Sequence, residues 1–316
     1  MKLGSSDYSK LIGNQLDISL ASSLTIVDQM GGFNIDLTCK LLDKLNAQNY
    51  CKKIYTQYIT SDFKHNYPML DISFSAELQN DINLRHFVKY NVHPRNEFNN
   101  FICSFNGAPH TSRKMLVSAL HKFGYFNSSV CSKNMQFSSD TLTGNISDFC
   151  LDNAAYYDKF FSFDEEFINT IYTFGHTRFD HANNIYNLED KLTQSFLHIV
   201  SETLATSYVP FVTEKFLYSI VTRGLFLSYA QPGWHAHVSK YYGFKLYTKL
   251  FDYRFDSIQN PVERLIELLT MVSKYKTLSK DDWRDLYLME QDTIEYNYDH
   301  YFSGGHLTKL QEYADK

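Results

Sequence analysis

The sequence has few of the features that stabilise secreted or membrane proteins. Its five cysteines form no Cys-x-x-Cys pair, so neither a disulfide framework nor a zinc site is indicated, and free thiols fit a reducing compartment. No run of about 18 apolar residues is present, and the first ten residues lack an apolar signal core. We therefore expect a cytoplasmic chain without a membrane-spanning segment. The 30 basic residues are outnumbered by 35 acidic ones, which excludes a bulk attraction to nucleic acid.

Apolar and aromatic side chains, by contrast, are plentiful. The 316 residues are 44% hydrophobic, which is enough to form a core without metals or disulfides, and the length favours two domains. Short apolar segments alternate with amphipathic ones, which predicts an α/β protein. We place the domain boundary near residue 185, giving an N-terminal domain over 1–185 and a C-terminal domain over 186–316.

The strongest local patterns lie in the middle and at the end of the chain. Strands are predicted at 100–105, 225–229 and 243–247. A helix is predicted at 112–123, and a long terminal helix at 281–301 is free to pack back across the domain boundary.

The segment Phe211–Phe216 carries the clearest chemical signal. Thr213 can cap a helix whose first turn holds Glu214 and Lys215, next to unpaired backbone N–H groups and the positive end of the helix dipole. Such a terminus favours a diphosphate, to which Lys215 would add a mobile charge, while Glu214 could accept hydrogen bonds from ribose hydroxyls. The alternative is a capped helix that carries two solvated charges.

The Thr-Glu-Lys block and the motifs after it resemble those of glycosyltransferases of bacteria, phages and large viruses, which are distantly similar to the α1,3-fucosyltransferases. In order, these motifs are Thr213-Glu214-Lys215, Gly224, Pro232-Gly233, Gly243-Phe244, Phe251-Asp252, Asp256 and Asn260-Pro261-Val262-Glu263-Arg264. Upstream, residues 196–203 resemble the family's strand and Glu-Asn-Ser stretch, and Asn106, Pro109 and Arg113 resemble its entry into a helix. The resemblance covers about residues 100–300, and residues 1–95 show none.

The resemblance implies a GT-B fold, in which two Rossmann-like domains face a cleft and the C-terminal domain holds a nucleotide-sugar. It implies that Lys215 binds the diphosphate that leaves as the sugar is transferred to a hydroxyl acceptor, such as a glycan or a small molecule. The implied donor-binding residues are Asn106, His198, Glu202, Thr203, Thr213, Glu214, Lys215 and Gly233. Arg113 and His110 join Lys215 as candidate catalytic residues, with His110 as a possible general base. No Asp-x-Asp sequence is present, so we expect no metal and no cofactor.

Several alternatives remain open at this point. The acceptor could be a hydroxylated base of phage DNA, although the acidic balance argues against it, or the chain could be a non-catalytic sugar-binding protein of the same fold. Arg113 and His110 could be ordinary surface residues, and His235 could touch the donor. A viral source would place the chain in the host cytoplasm. The stereochemistry of transfer is undecided.

Overall fold

The computed structural model describes residues in both halves of the chain. The described residues are 2–3, 10, 13, 18, 21–26, 35–56, 67–74, 95, 97–107, 111–125, 130–132, 181–202, 205, 210 and 212–314. The chain divides into two compact units, one formed by Met1–Arg85 with Leu307–Lys316 and the other by His86–His306. Among the described residues, each unit contains one four-stranded parallel sheet, which confirms the α/β class.

The sheet of the first unit has the strand order β1-β2-β3-β4. Its strands are β1 (Lys2–Leu3), β2 (Ser23–Ile26), β3 (Lys53–Thr56) and β4 (Ile72–Phe74). Helix α1 (Ile35–Ala47) lies between β2 and β3, as a crossover between parallel strands requires. Leu24, Ile26 and Ile54 are buried and alternate with more exposed residues, so one face of this sheet lies in the core.

The sheet of the second unit has the order β6-β5-β7-β8, with every pairing parallel. Its strands are β5 (Asn100–Ser104), β6 (Val130–Cys131), β7 (Ser195–Ser201) and β8 (Leu225–Tyr229). Every residue of β7 and β8 is buried. Continuous burial of this kind is typical of a parallel sheet that is covered on both faces.

The predicted domain boundary near residue 185 is wrong. Strand β5 pairs with β7, with Ile102 opposite Leu197, so residues before and after 185 belong to one sheet. The structure places the first change of unit between Arg85 and His86 instead. Residues 307–316 return to the first unit.

The described helices of the second unit lie between its strands and after its last strand. Helices α2 (Thr111–Lys122) and α3 (His181–Thr193) precede β6 and β7. The later elements are a 3-10 turn (Glu214–Phe216), α4 (Leu217–Val221), α5 (Trp234–His237), a π turn (Val238–Tyr242), a 3-10 turn (Tyr253–Ser257), α6 (Pro261–Ser273), α7 (Lys280–Met289) and α8 (Gln291–Phe302). Helix α9 (Gly305–Ala314) ends the described chain. Within the described ranges, no helix combines the length and apolar character needed to cross a bilayer.

The structure corrects two predictions in the C-terminal part of the chain, the strand at 243–247 and the helix at 281–301. Tertiary hydrogen bonds explain both differences. Residues 243–247 form no strand, because the side chain of Asn297 takes the place of a strand partner: its Oδ1 accepts from Lys245 N–H at 2.8 Å, and its Nδ2 donates to the Lys245 carbonyl at 2.9 Å. The long helix predicted over 281–301 is broken at Glu290, whose buried carboxylate accepts from Lys249 N–H at 2.7 Å.

A buried guanidinium lies near the amino ends of β7 and β8. Arg95 is 4% exposed and donates to the carbonyls of Ser195 and Thr222, at 2.7 Å and 3.1–3.2 Å. Its Nη2 also lies 3.2 Å from Nε2 of His198. Gly224 fits against this group only because it lacks a side chain, since a Cβ there would lie 2.5 Å from Cε1 of His198 and 2.8 Å from Nη2 of Arg95.

Candidate functional site

A charged cluster occupies the carboxyl edge of the second sheet, where ligands bind in open parallel sheets. Glu202 directly follows β7, and its N–H continues the β7–β8 pairing by donating to the Tyr229 carbonyl at 3.1 Å. The hydroxyl of Ser112, in the first turn of α2, donates to the Glu202 carbonyl at 3.4 Å. The start of α2 is thereby joined to the end of β7.

The Glu202 carboxylate is fully buried within this edge. Its Oε2 accepts a short hydrogen bond from the Thr213 hydroxyl, while its Oε1 has no hydrogen-bond partner among the described residues. Burial raises the pKa of the Glu202 carboxyl, and the nearby positive charges of Lys215 and Arg113 oppose that rise. A buried acceptor oxygen that lacks a donor is costly unless a ligand or water satisfies it.

The turn after Thr213 is held by the Thr213 cap and by the buried ring of Phe216. Thr213 has extended backbone, and its Oγ1 accepts from Lys215 N–H at 3.4 Å, as predicted for a helix cap. Phe216, at the end of the 3-10 turn, is fully buried and packs against Trp234 and Phe244 with ring centroids 5.5 and 5.4 Å apart. This packing fixes the turn that carries Glu214 and Lys215.

The Lys215 ammonium lies within the cluster and not in bulk solvent. Its Nζ donates to Thr213 Oγ1 at 2.9 Å and lies 3.7 Å from Glu214 Oε1. The Lys215 side chain as a whole keeps 23% of its surface exposed. Burial lowers the pKa of Lys215, with Arg113 adding to this effect, while the carboxylates of Glu214 and Glu202 oppose it.

Arg113 belongs to the same cluster. It is 6% exposed and follows Ser112 near the start of α2. Its positive charge opposes the rise in the pKa of Glu202 that burial causes, and it adds to the lowering of the pKa of Lys215 that burial causes. The alternative considered from the sequence, that Arg113 is an ordinary solvated surface residue, does not agree with this burial.

Asn106 follows β5 at the same edge but is engaged with its own sheet. Its Nδ2 donates to Ser104 Oγ at 3.1 Å and to the Ser132 carbonyl at 3.3 Å, and its N–H donates to Ser132 Oγ at 2.9 Å. The Oδ1 atom has no hydrogen-bond partner among the described residues. Asn106 thus joins the ends of β5 and β6, and its carbonyl oxygen is the part left for another group.

The structure does not bring His198 to this cluster, contrary to expectation. Its ring lies inside the fold, with Nδ1 2.8 Å from Ser219 Oγ and Nε2 2.8 Å from the Leu192 carbonyl. Burial, reinforced by Arg95, holds the pKa of His198 well below its usual value, so the ring is neutral. The residue supports the core.

His235 also has a structural role. Its Nε2 accepts from Ser228 N–H at 3.0 Å, on the side of β8 away from β7, and its Nδ1 lies 2.7 Å from Asp256 Oδ1. Since a backbone N–H can only donate, Nδ1 must carry the ring proton and donate it to Asp256. His235 therefore covers the edge of β8 and is not available for the donor contact considered from the sequence.

Gly233 lies in the turn after β8. It adopts φ +75°, and its N–H donates to the Asp256 carbonyl at 2.6 Å. A Cβ at this position would meet nothing within 4 Å, so crowding does not explain the glycine. The positive φ angle does, because residues with a side chain rarely adopt it.

The remaining predicted site residues, His110 and Thr203, lie outside the described residues.

Arg264 is a buried residue of the Asn260–Arg264 motif, to which the sequence analysis gave no role. Its guanidinium donates to the carbonyls of Ala230 at 3.0 Å and Gln259 at 3.1 Å, and also to those of Ile258 and Ala205. These carbonyls belong to segments at the carboxyl end of β8 and beside it. The Asn260-Pro261 pair is the sequence signal that indicates this arrangement, because it is typical of a helix start. Asn260 Oδ1 caps α6, and Arg264 lies one turn further along the helix.

The Asp256 carboxylate gives the first testable prediction. Burial alone would raise its pKa, but His235 and the backbone N–H groups of His235 and Ala236 lower it below its usual value. The resulting stability is present above the unfolded pKa of about 3.9 and is lost as the pH falls through the lower folded value. We expect Asp256→Asn to cost about 2 kcal/mol near pH 6, and this cost should shrink towards pH 3.

Urea denaturation of the wild-type and variant chains across this pH range measures the effect. Asp281→Asn is the control, because that side chain is 83% exposed on α7, and it should change stability little at any pH. A cost of Asp256→Asn that stays constant with pH would contradict the assignment.

Among the described residues, no three His, Cys, Asp or Glu side chains form a group that could hold a metal ion. Fold and site together define a parallel α/β protein with a partly buried cluster of two cations and two carboxylates at the carboxyl edge of its second sheet. Comparison with protein-family models, curated proteins and solved structures finds no match.

Proposed function

We propose that this chain is a glycosyltransferase that moves a sugar from a nucleotide-sugar to a hydroxyl acceptor without a metal ion. The position of Lys215 is the observation that carries the proposal. Its ammonium lies 2.9 Å from Thr213 Oγ1 at the carboxyl edge of a parallel sheet, it feels the charge of Arg113, and the side chain is 23% exposed. Two cations beside such an edge suit a diphosphate.

The main requirement of sugar transfer is that the negative charge on the leaving diphosphate is stabilised. Transfer breaks the bond between the anomeric carbon and the diphosphate oxygen, so negative charge grows on the diphosphate as the sugar becomes cationic. A fixed ammonium and guanidinium stabilise that charge more in the transition state than in the bound donor. Glu214, whose side chain is 19% exposed, would accept hydrogen bonds from the nucleoside ribose.

We further propose that the two units are the halves of a GT-B fold, since each contains a four-stranded parallel sheet. A glycan or another small hydroxylated molecule is the favoured acceptor. The net charge of −5 disfavours duplex DNA, because duplex binding usually needs a basic surface.

A panel of nucleotide-sugars tests the proposal. At least one UDP-, GDP-, ADP- or TDP-sugar should be hydrolysed slowly without acceptor, and a chelator should not stop the reaction. The matching nucleoside diphosphate should stabilise the chain by about 2.7 kcal/mol at a concentration about 100 times its Kd, which thermal unfolding detects. Nucleotide binding without any turnover would support the non-catalytic sugar-binding protein, and neither binding nor turnover would refute the proposal.

A further inference from the structure

One hydroxyl oxygen joins the oppositely charged groups of the cluster. Thr213 Oγ1 lies 2.9 Å from Nζ of Lys215 and also contacts Oε2 of Glu202. An ammonium can only donate hydrogen bonds, so Oγ1 accepts from Lys215. The single hydroxyl proton is then donated to the Glu202 carboxylate. The order of donation therefore runs from Lys215 through Thr213 to Glu202.

This hydroxyl has little capacity left for a ligand. A threonine hydroxyl offers one donor and two acceptor positions. Glu202 takes the donor, and Nζ and the backbone N–H of Lys215 direct their protons at the same oxygen, at 2.9 and 3.4 Å. Sequence comparison placed Thr213 among the donor-binding residues, but these contacts indicate a different role.

The position of the hydroxyl is fixed from both sides. Glu202 is fully buried, and its backbone is tied to Tyr229 at the end of β8. Thr213 is 3% exposed, and its β-branched side chain has few accessible rotamers. The contact between Lys215 and Thr213 is shorter than the 3.7 Å contact between Lys215 and Glu214. Thr213 is thus the better-defined anchor for the ammonium.

We infer that Thr213 is a positioning residue, whose hydroxyl links the Lys215 ammonium to the buried Glu202 carboxylate and so fixes where the cation meets a ligand. The geometry of the three side chains carries this inference. Only its consequence for ligand binding rests on the proposed function.

Reductive methylation of Lys215, followed by mass spectrometry, tests the inference without any ligand. Methylation requires the neutral amine, and loss of the Thr213 acceptor removes an interaction that favours the ammonium. Thr213→Val should therefore shift the pH profile of methylation to lower pH and raise the rate at fixed pH about tenfold. Thr213→Ser retains the hydroxyl and should behave like the wild type. Methylation of Lys274, exposed at the end of α6, is the internal control.

The same variants are then tested with the nucleoside diphosphate that the wild-type chain binds. Thr213→Val should weaken that binding about tenfold, and Thr213→Ser should restore it. Should the valine variant fail to fold, Thr213→Ala removes the hydroxyl without placing a second methyl group at the site. Equal Lys215 methylation profiles in all the folded variants would overturn the inference. Altered methylation in a chain that binds no nucleoside diphosphate would instead uphold the inference and refute the proposed function.

Discussion

Replacing Lys215 with methionine is expected to lower kcat/KM for sugar transfer by about 10²–10³-fold. Methionine keeps the length of the side chain and removes the charge that would stabilise the departing diphosphate. The unfolding free energy should change by no more than about 1 kcal/mol, because the Lys215 side chain is partly exposed and its replacement leaves the Glu202–Thr213 hydrogen bond in place. Steady-state kinetics and urea denaturation measure the two quantities on the same protein.

A matched control separates the site from general charge effects. Lys274→Met removes an exposed lysine that follows the last turn of α6, about 20 Å along the helix from its Asn260 cap. This variant should retain wild-type kinetics. If Lys215→Met kept its activity, or lost activity only in proportion to a loss of folded protein, the role assigned to the ammonium would be wrong.

Substitution of Gly224 by alanine should give the largest loss of stability, about 3 kcal/mol. The added Cβ would lie 2.5 Å from Cε1 of His198 and 2.8 Å from Nη2 of Arg95. Neither group can retreat cheaply, since the His198 ring is hydrogen-bonded to Ser219 and the guanidinium donates to buried carbonyls. Urea denaturation measures the loss.

Two further variants identify the cause of that loss. Gly304→Ala places a Cβ in open space at φ +75° and should cost only the roughly 1 kcal/mol of a left-handed backbone. In a His198→Ala background the main clash is gone, so the added cost of Gly224→Ala should fall by about 1 kcal/mol or more. An equal cost of Gly224→Ala in both backgrounds would show that the histidine ring is not the obstacle.

Local sequence patterns predicted the site best where contacts between residues close in sequence determine the structure. The Thr213 cap and the turn that carries Lys215 both depend on residues within one helical turn of each other. The structure has each of them. Helix α2 likewise ends near Gly124, which has φ +70° as expected for a helix terminus.

The predictions were wrong where contacts between residues far apart in sequence determine the structure. The break at Glu290 depends on a hydrogen bond to Lys249, 41 residues earlier, which helical periodicity does not reveal. The misplaced boundary has the same origin, because nothing local shows that β5 pairs with β7 across about ninety residues. For His198, a strand buried on both faces gives no alternation from which the direction of the ring could be read. Strand order and tertiary hydrogen bonds had to come from the structure.

The position of Lys215 relative to a bound diphosphate tests the account most directly. The measurement is a crystal structure of the chain with whichever of UDP, GDP, ADP or TDP stabilises it most. We expect a phosphate oxygen within about 3 Å of the Lys215 Nζ atom, at the carboxyl edge formed by β7 and β8. A diphosphate bound elsewhere, with the ammonium still held only by the chain's own side chains, would contradict the account.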